Sequence, residues 1–497
     1  MRRAAQGAVF VPHRFPGPVA APLVALTMMS WAFLRVARGA DAAHPRSGDA
    51  PAPSPAPKAL GGLGPARAMT LAEALAYARV HQPTLRSALA RVVAAAAEAR
   101  VPRAQWLPSV GATVQAFGGT TNNTTASTVT VPEVDLPRIG GTRVTATGDF
   151  APNTSTLAAV GATQEVFDFG RIAAQAAVAD VLYEVERHRA DSEALRVDLL
   201  VKESYYGVEG SRAILKAAED AYQRAGVHRD MAAAAVKSGL HAPIELTRAE
   251  ADLTRFEVGR IRAGGSLRTA QAVFAAAVGV DERLLDAAGT APATAPAPPV
   301  DETLRRAMAN DPVLEEARAR ARAAEARVRA LAAETRPDVS LTATLSTRAG
   351  TAEPSSGPLS YRYGPLPVVP NWDVGLVLRW PLYDPVVAAR KEAAASHAET
   401  ARAEVAVVSQ QEATAVEQVS VAIEVKEAAV IGLGRAVEAA KANYAQAEAR
   451  FKAGLGTSLE LADAEALRTD AEIQLAVGDF EARRARAALS RLLGEGQ

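Results

Sequence analysis

The chain has 497 residues, of which 22% are charged and only 5% are aromatic, a composition that suits long helices better than compact globular cores. Its 55 basic and 55 acidic residues give a formal net charge of zero, so no overall field favours nucleic acid. Because the sequence contains no cysteine, it excludes disulfides, thiolate metal sites, cysteine nucleophiles and a lipid-bearing N-terminal cysteine.

The N-terminus is typical of a secretory signal peptide, which we expect over residues 1–40. Arg2 and Arg3 precede an apolar run over residues 19–34, and small residues follow it. A membrane anchor is the alternative, but the run has about 16 residues, and a spanning helix needs roughly 20. Residues 41–68 are rich in Pro, Ala and Gly without an apolar period, which predicts a flexible leader.

The rest of the sequence is duplicated. Leu75 aligns with Leu304 in one ungapped register, and further along Gly239 aligns with Gly454. A repeat of this length is too long for a solenoid unit. It indicates two copies of a subdomain, at residues 69–286 and 301–497, joined by a Pro/Ala linker at residues 287–300.

Each copy begins with two short helices. Thr70 and Glu73 have the spacing of a capping box, which predicts the start of the first helix. Proline then interrupts and stops the helical pattern at matching places in both copies, at Pro83 and Pro108 and at Pro312 and Pro337.

After each stop the apolar period changes from helical to two, which predicts a hairpin of half-buried strands in each copy. The strands are expected at about 109–118 and 158–168 in the first copy, and at about 338–347 and 372–383 in the second. These lengths fit transmembrane strands. Tyr361, Tyr363, Trp372 and Trp380 are expected near one end of the second hairpin as an aromatic belt. A surface hairpin of a soluble domain is the alternative.

Two very long helices follow the hairpins, at residues 170–237 and 386–452. Neither 171–237 nor 386–452 contains proline, and each stretch would span about 100 Å as a helix. Helices of that length must pack along partners, and Ala-rich faces allow coiled-coil-like approach. Each ends at a Gly-Leu turn, Gly239-Leu240 or Gly454-Leu455, before a return helix at 243–278 or 457–493.

This order of elements resembles the TolC-like outer-membrane efflux protein family, the outer membrane factors of tripartite efflux and type I secretion systems. The resemblance covers residues 69–494 and rests on the duplicated Leu-x-x-Ala and x-Pro patterns, Leu107-Pro108, Phe167 to Gly170, and the Gly-Leu turns with Glu six residues on. Arg336 in place of Leu107, and Pro385 after Asp384, depart from the pattern.

The resemblance implies a mainly α fold with a small β part, made of two tandem pseudo-repeats of long coiled-coil helices plus a β-hairpin. It implies a homotrimer whose twelve strands form one β-barrel in outer-membrane lipid and whose helices continue as a periplasmic α-helical barrel. Its partners would be a periplasmic adaptor and an inner-membrane pump, and it would conduct their substrates passively. The hairpins agree, because four strands alone leave two open edges that lipid cannot satisfy.

The resemblance also assigns sites by position. Gly239, Leu240, Gly454 and Leu455 would contact the adaptor. Glu460, Asp463 and the first-copy equivalent Glu245 would ring the periplasmic aperture. The alternative is that Glu245 and Glu460 are helix-start acids that meet the helix dipole. Gly456 stands where family members can carry an Arg latch, so closure would rely on helix packing or on other partners, such as Arg450 or Arg468.

Two other function classes fit parts of the sequence less well. A periplasmic coiled-coil scaffold without channel activity explains the helices but not the duplicated hairpins. An enzyme is disfavoured because no catalytic motif or phosphate loop appears in the sequence, and the seven histidines are scattered. We therefore expect no catalytic residues, no cofactor, no metal site and no nucleic-acid partner.

Overall fold

The computed structural model describes residues 66–119, 134, 153–289, 299–350 and 369–494. The predicted signal peptide, most of the leader and of the linker, and Tyr361 and Tyr363 lie outside these residues. Among the described residues, no helix combines the length and the apolar character that crossing a membrane would need.

The described part of the chain is mainly helical, with two small sheets. The helices are α1 (Leu71–His81), α2 (Pro83–Glu98), α3 (Val101–Ala104), α4 (Arg171–Lys237), α5 (Pro243–Val278), α6 (Val300–Asn310), α7 (Pro312–Ala333), α8 (Pro385–Lys452) and α9 (Ser458–Leu492). The strands are β1 (Arg67–Met69), β2 (Ser109–Gly119), β3 (Asn153–Phe167), β4 (Leu285–Ala287), β5 (Asp338–Gly350) and β6 (Val369–Arg379). The sequence therefore predicted the fold class correctly.

The end of the predicted flexible leader is ordered. Strand β1 pairs in parallel with β4, in a register that joins Arg67 to Leu285 and Met69 to Ala287. Met69 and Leu285 are buried in the adjoining core. The expected leader boundary at residue 68 and the linker start at residue 287 are therefore corrected, because main-chain pairing and side-chain burial order both segments.

The capping box at the start of α1 is confirmed. The Thr70 hydroxyl accepts from the Glu73 N–H at 3.3 Å, and the Glu73 carboxylate accepts from the Thr70 N–H at 2.9 Å. Two backbone N–H groups that the helix cannot satisfy internally are thereby satisfied by two side chains of the same turn.

The four long strands form one antiparallel sheet in the order β2-β3-β5-β6. One face of this sheet is apolar and exposed, including Val114 at 84%, Val374 at 62% and Leu376 at 70%. The opposite face carries Ser340 and Thr344, which are nearly buried at 4% and 3%. This is the reverse of a soluble sheet, whose apolar face is the covered one.

The junction between the first hairpin and α4 is closed by a buried carboxylate. Asp168 is 3% exposed and accepts from the N–H groups of Gly170 and Ile172. Phe169 has a φ of +52°, and Arg336 donates to its carbonyl at 2.8 Å. The unexpected Arg336 therefore ties the second repeat to the turn of the first.

The junction between the second hairpin and α8 has a different local structure from the first. Asp384 is the N-cap of α8 and accepts from the Val386 N–H at 2.8 Å, while Pro385 occupies the first turn. Proline is favoured there because its missing N–H would have no helical partner. Strand β6 ends at Arg379, four residues before the expected end at residue 383.

The long helices pack side by side, and α4 lies at the centre of the assembly. It contacts α5, α7 and α9, and α8 contacts α7 and α9. Tyr205, Val208 and Phe274 anchor a core beneath α1, β1 and β4. A helix of 67 residues is about 100 Å long, so this packing forms a long rod and leaves the two helical turns at one end.

Candidate functional site

The two helical turns have the same backbone geometry. In the first, the Gly239 N–H donates to the Val236 carbonyl at 3.0 Å and the Leu240 N–H donates to the Ala235 carbonyl at 2.9 Å. Gly454 and Leu455 repeat this pattern. It is the Schellman motif, which needs a left-handed residue, and the φ values are +76° at Gly239 and +73° at Gly454.

Each turn presents a leucine to solvent. Leu240 is 65% exposed and Leu455 is 74% exposed, and the next helical turn adds the exposed Ile244 and Leu459. These four side chains lie at the end of the rod, where no described residue covers them. Exposed apolar groups concentrated in this way are typical of protein–protein contact.

Glu245 connects the two turns. One carboxylate oxygen accepts from the Ser458 N–H at 3.1 Å, and the other pairs with Arg248 at 3.2 Å. Its side chain is only 13% exposed. Ser458 begins α9, so Glu245 satisfies a free N–H of the other repeat. Glu245 therefore does not extend the exposed carboxylate set that the sequence predicted.

Glu460 and Asp463 are both exposed on the first turns of α9. Thr457 is the N-cap of α9 and its hydroxyl accepts from the Glu460 N–H at 3.2 Å. The Glu460 carboxylate lies 3.8 Å from the Arg450 guanidinium. Arg450 is thus the nearby cation for Glu460, with Gly456 between them, where a Cβ would meet both side chains at 3.3 Å.

The other cation considered from sequence, Arg468, belongs to a network further along the helices. It pairs with Glu472 at 3.2 Å and lies over the Tyr444 ring at 5.2 Å. Arg224 also lies over this ring, at 5.9 Å, and pairs with Glu465 at 2.7 Å; the Glu465 side chain is 5% exposed. Burial, together with nearby Glu465, raises the pKa of the Tyr444 phenol to about 12.

This buried network joins α4 of the first repeat to α8 and α9 of the second. Sequence reasoning missed it, because Arg224, Tyr444 and Glu465 are ordinary residues on three separate helices. Glu465 does align with Glu250 in the repeat register, yet the structure buries the first and exposes the second. Tertiary packing alone distinguishes them.

An aromatic stack lies between this network and the turns. The Phe451 ring contacts His228 edge-on at 5.0 Å and His241 face-on at 5.3 Å. His228 is 6% exposed, and its Nε2 has no hydrogen-bond partner. Burial lowers the pKa of His228, while Asp252 and Glu245 oppose this effect. A neutral histidine is therefore part of the packing between the repeats.

Trp372 and Trp380 lie at different levels of the second hairpin. Trp372 pairs with Leu345 inside the sheet, whereas Trp380 follows the last residue of β6. Eight residues of strand separate them by about 26 Å, and both are exposed, at 78% and 58%. The expectation that all the aromatic-belt residues lie near one end is therefore wrong for these two.

Within the described ranges, no cluster of three histidine or carboxylate side chains could hold a metal ion. The acids at the strand exits serve structure instead, since Asp168 and Asp384 accept from backbone N–H groups.

Comparison with known proteins gives a consistent result. A model of the family described as outer membrane efflux protein matches residues 74–280 and 303–495. The fold is similar to that of the outer-membrane channel OprN, with 22% identity and a TM-score of 0.66 over 86% of this chain and 90% of that one. No curated protein matches the sequence.

Two further solved structures have the same fold. The outer membrane protein VceC of Vibrio cholerae has 19% identity and a TM-score of 0.65, over 86% of this chain and 96% of that one. The open state of the MtrE outer membrane channel of Neisseria gonorrhoeae has 18% identity and a TM-score of 0.64, over 86% and 89%.

Proposed function

We propose that this chain, which belongs to the outer membrane efflux protein family, forms a homotrimeric exit duct of a tripartite efflux or type I secretion system. Three copies enclose a channel through the outer membrane, and the long helices extend it into the periplasm. A periplasmic adaptor and an inner-membrane pump deliver the substrate. The duct is passive, and the pump supplies the energy.

The four-stranded sheet is the observation that carries this proposal. Its exposed face is mainly apolar on all four strands, its other face carries most of the polar side chains, and the outer edges of β2 and β6 are unpaired within the described chain. Unpaired backbone groups cannot be left in lipid, because each costs several kcal/mol there. Closing three such sheets into one barrel of twelve strands pairs every edge.

The long helices support the second half of the proposal. They continue directly from the strands and extend about 100 Å away from the sheet. A rod of this length is far longer than the roughly 30 Å hydrocarbon core of a membrane. It is long enough to cross an aqueous compartment and contact a partner there. The exposed leucines of the two turns lie at its far end and fit an adaptor.

The end of the rod also carries the groups proposed to control the aperture. Three copies of Glu460 and Asp463 would place six carboxylates around the trimer axis, which attracts cations and opposes closure. Arg450 lies near Glu460 and lowers that repulsion. Closure then depends on this pair and on Glu245, which holds the two turns together.

The test is the single-channel conductance of the purified trimer in a planar bilayer. The native protein is expected to give a small cation-selective current. The double variant Glu460→Ala, Asp463→Ala is expected to lose cation selectivity, since the exposed carboxylates are gone. Glu399→Ala, Glu438→Ala, which removes two exposed acids from α8, is the matched control and should conduct like the native protein.

The proposal also predicts the oligomeric state of the purified protein. Native mass measurement should give three chains per particle in detergent. A monomer that stays in solution without detergent would contradict it and would favour the periplasmic scaffold. A folded trimer that passes no current in any variant would have the same consequence.

A further inference from the structure

A groove of about 960 Å³ runs along α4, between α5 and α9. Gly207, Ser211 and Ile214 form part of its floor, Val273 lies on its α5 wall, and Phe480 lies on its α9 wall. Its volume is in the range of pockets that bind small organic molecules. Most of the lining is apolar, and the groove lies far from the two helical turns.

Glycines create the groove. A Cβ on Gly210 would come within 3.3 Å of Phe480, so Gly210 allows Phe480 to lie close against α4. A Cβ on Gly265, in the opposite wall, would meet nothing within 4 Å. In the register that aligns Gly239 with Gly454, Gly265 aligns with Phe480. The second repeat thus has an aromatic ring where the first leaves open space.

The groove lies on the side of α4 that faces away from β4. The Tyr205 hydroxyl donates to the Ala288 carbonyl at 2.8 Å, and Arg212 pairs with Asp286 at 2.6 Å, so these two residues mark the covered side. At about 100° per residue, Gly207 lies roughly 140–160° around the helix from both. The groove and the short elements around β4 therefore lie on opposite sides of α4.

One charge in the groove has no partner among the residues that the structure describes. Glu203 and Arg484 neutralise each other across α4 and α9 at 2.7 Å. Arg262, on the α5 side, forms no ion pair or hydrogen bond with the described residues and is exposed. The nearby Thr269 hydroxyl donates to the Gly265 carbonyl and is not bonded to the Arg262 guanidinium. The groove therefore combines an apolar surface with one available guanidinium.

We propose that this groove binds amphiphilic organic anions. The apolar part of the ligand packs against Ile214, Val273 and Phe480, and its acidic group pairs with Arg262, a geometry that guanidinium favours for carboxylates and sulfonates. The assignment of such anions as cargo of the duct rests on the proposed function. Binding in the groove itself does not depend on an open channel.

The test uses 1-anilinonaphthalene-8-sulfonate as the probe and the full chain reconstituted in lipid nanodiscs, with empty nanodiscs as the baseline. Equilibrium dialysis is expected to give one saturable site per chain. Arg262→Glu should weaken binding about tenfold or more, since it removes a charge-assisted contact. Gly265→Phe should abolish the site, because the ring fills the groove as Phe480 does.

Arg268→Glu is the matched control. Arg268 is an exposed arginine of the same helix that does not line the groove, and its replacement should leave binding unchanged. N-phenyl-1-naphthylamine, the same ring system without the sulfonate, should bind the native protein at least about tenfold more weakly than the sulfonate does. Equal effects of the two arginine variants, or full binding by Gly265→Phe, would overturn the proposal.

The two proposals can fail separately. Loss of the binding differences in a protein that conducts as expected overturns only the groove. Selective binding in a protein that passes no current leaves the groove in place and overturns the duct.

Discussion

At the scale of single residues, the two repeats are joined by a few polar groups that sequence periodicity does not reveal. Glu245 lies in the first turn of α5 but accepts from the first N–H of α9, and Arg224 of α4 pairs with Glu465 of α9. Both links cross from one repeat to the other. A buried or half-buried carboxylate of this kind stabilises only while its partner is in place.

Replacing Glu245 should loosen the second turn. Glu245→Ala removes the acceptor for the Ser458 N–H and is expected to lower the local opening free energy at the start of α9 by about 0.5–2 kcal/mol, as for lost helix caps. Hydrogen exchange of the amides of residues 458–461 measures this. Glu245→Gln keeps an acceptor and should lose less, and Glu250→Ala, at an exposed acid of the same helix, should lose nothing. Native exchange rates in Glu245→Ala would refute the link.

His228 predicts an acid-sensitive contact between the repeats. Because burial lowers its pKa in the folded protein below the ordinary 6.5, the unfolded chain binds the proton more readily. The contribution to stability is therefore complete above pH 6.5 and is lost as the pH falls through the lower folded value. Asp252 and Glu245 from α5 face this ring and moderate the loss.

Thermal unfolding at pH 7.5 and at pH 5.0 checks this expectation. The native protein should lose more stability on acidification than His228→Phe, whose ring stays uncharged. His241→Phe is the control, since His241 stacks on the same Phe451 ring but is more exposed. An equal pH dependence of the native protein and His228→Phe would exclude His228 as the cause.

At the scale of elements, the Gly-Leu turns end each long helix and present one exposed leucine each. A left-handed conformation costs most residues roughly 1–2 kcal/mol, which glycine avoids. The turn geometry is therefore a property of the local sequence. Which side chains of the turn are exposed is decided instead by how the two repeats pack against each other.

The turns lead to a prediction about the adaptor. Leu240→Asp or Leu455→Asp places a charge in the exposed apolar surface and is expected to abolish co-purification of the periplasmic adaptor, while native mass measurement still gives a trimer. Leu467→Asp, at a leucine of α9 that is 53% exposed and lies above the turn, is the control and should retain the adaptor. Unchanged co-purification of the two turn variants would remove the turns from the interface.

At the scale of the whole molecule, the sheet has most of its apolar side chains on the exposed face and most of its polar side chains on the covered face. Along β5, Leu341 and Leu345 are exposed, while Ser340, Thr344 and Ser346 between and beside them are not. Such an arrangement is unfavourable in water, because it hydrates apolar area. It becomes favourable when lipid replaces water on that face.

The two faces of the sheet should therefore differ in their response to charge. Val374→Arg, on the exposed apolar face, is expected to cost about 2–4 kcal/mol, which is typical of arginine on the lipid face of a membrane strand. Thr342→Arg lies on the opposite face of the neighbouring strand, next to Gly375, and should cost less. The yield of heat-resistant trimer in the membrane fraction measures both. Equal yields would contradict the lipid contact.

Much of the architecture follows from the sequence by itself. The proline-free stretches predicted two long helices because nothing in them breaks the hydrogen-bond ladder, and glycine predicted their ends. The change of apolar period from helical to two predicted the hairpins, since local geometry fixes the face on which each side chain lies. The duplication predicted two similar halves.

The tertiary structure decided what the repeats do to one another. Glu465 and Glu250 are aligned in the repeat, but the structure buries Glu465 and exposes Glu250. Glu245, which the sequence placed at the aperture, accepts a hydrogen bond from the Ser458 N–H. It ordered β1 by pairing it with β4 and opened a groove where Gly265 lies opposite Phe480. These outcomes depend on residues hundreds of positions apart meeting in space, which periodicity and spacing along one chain do not encode.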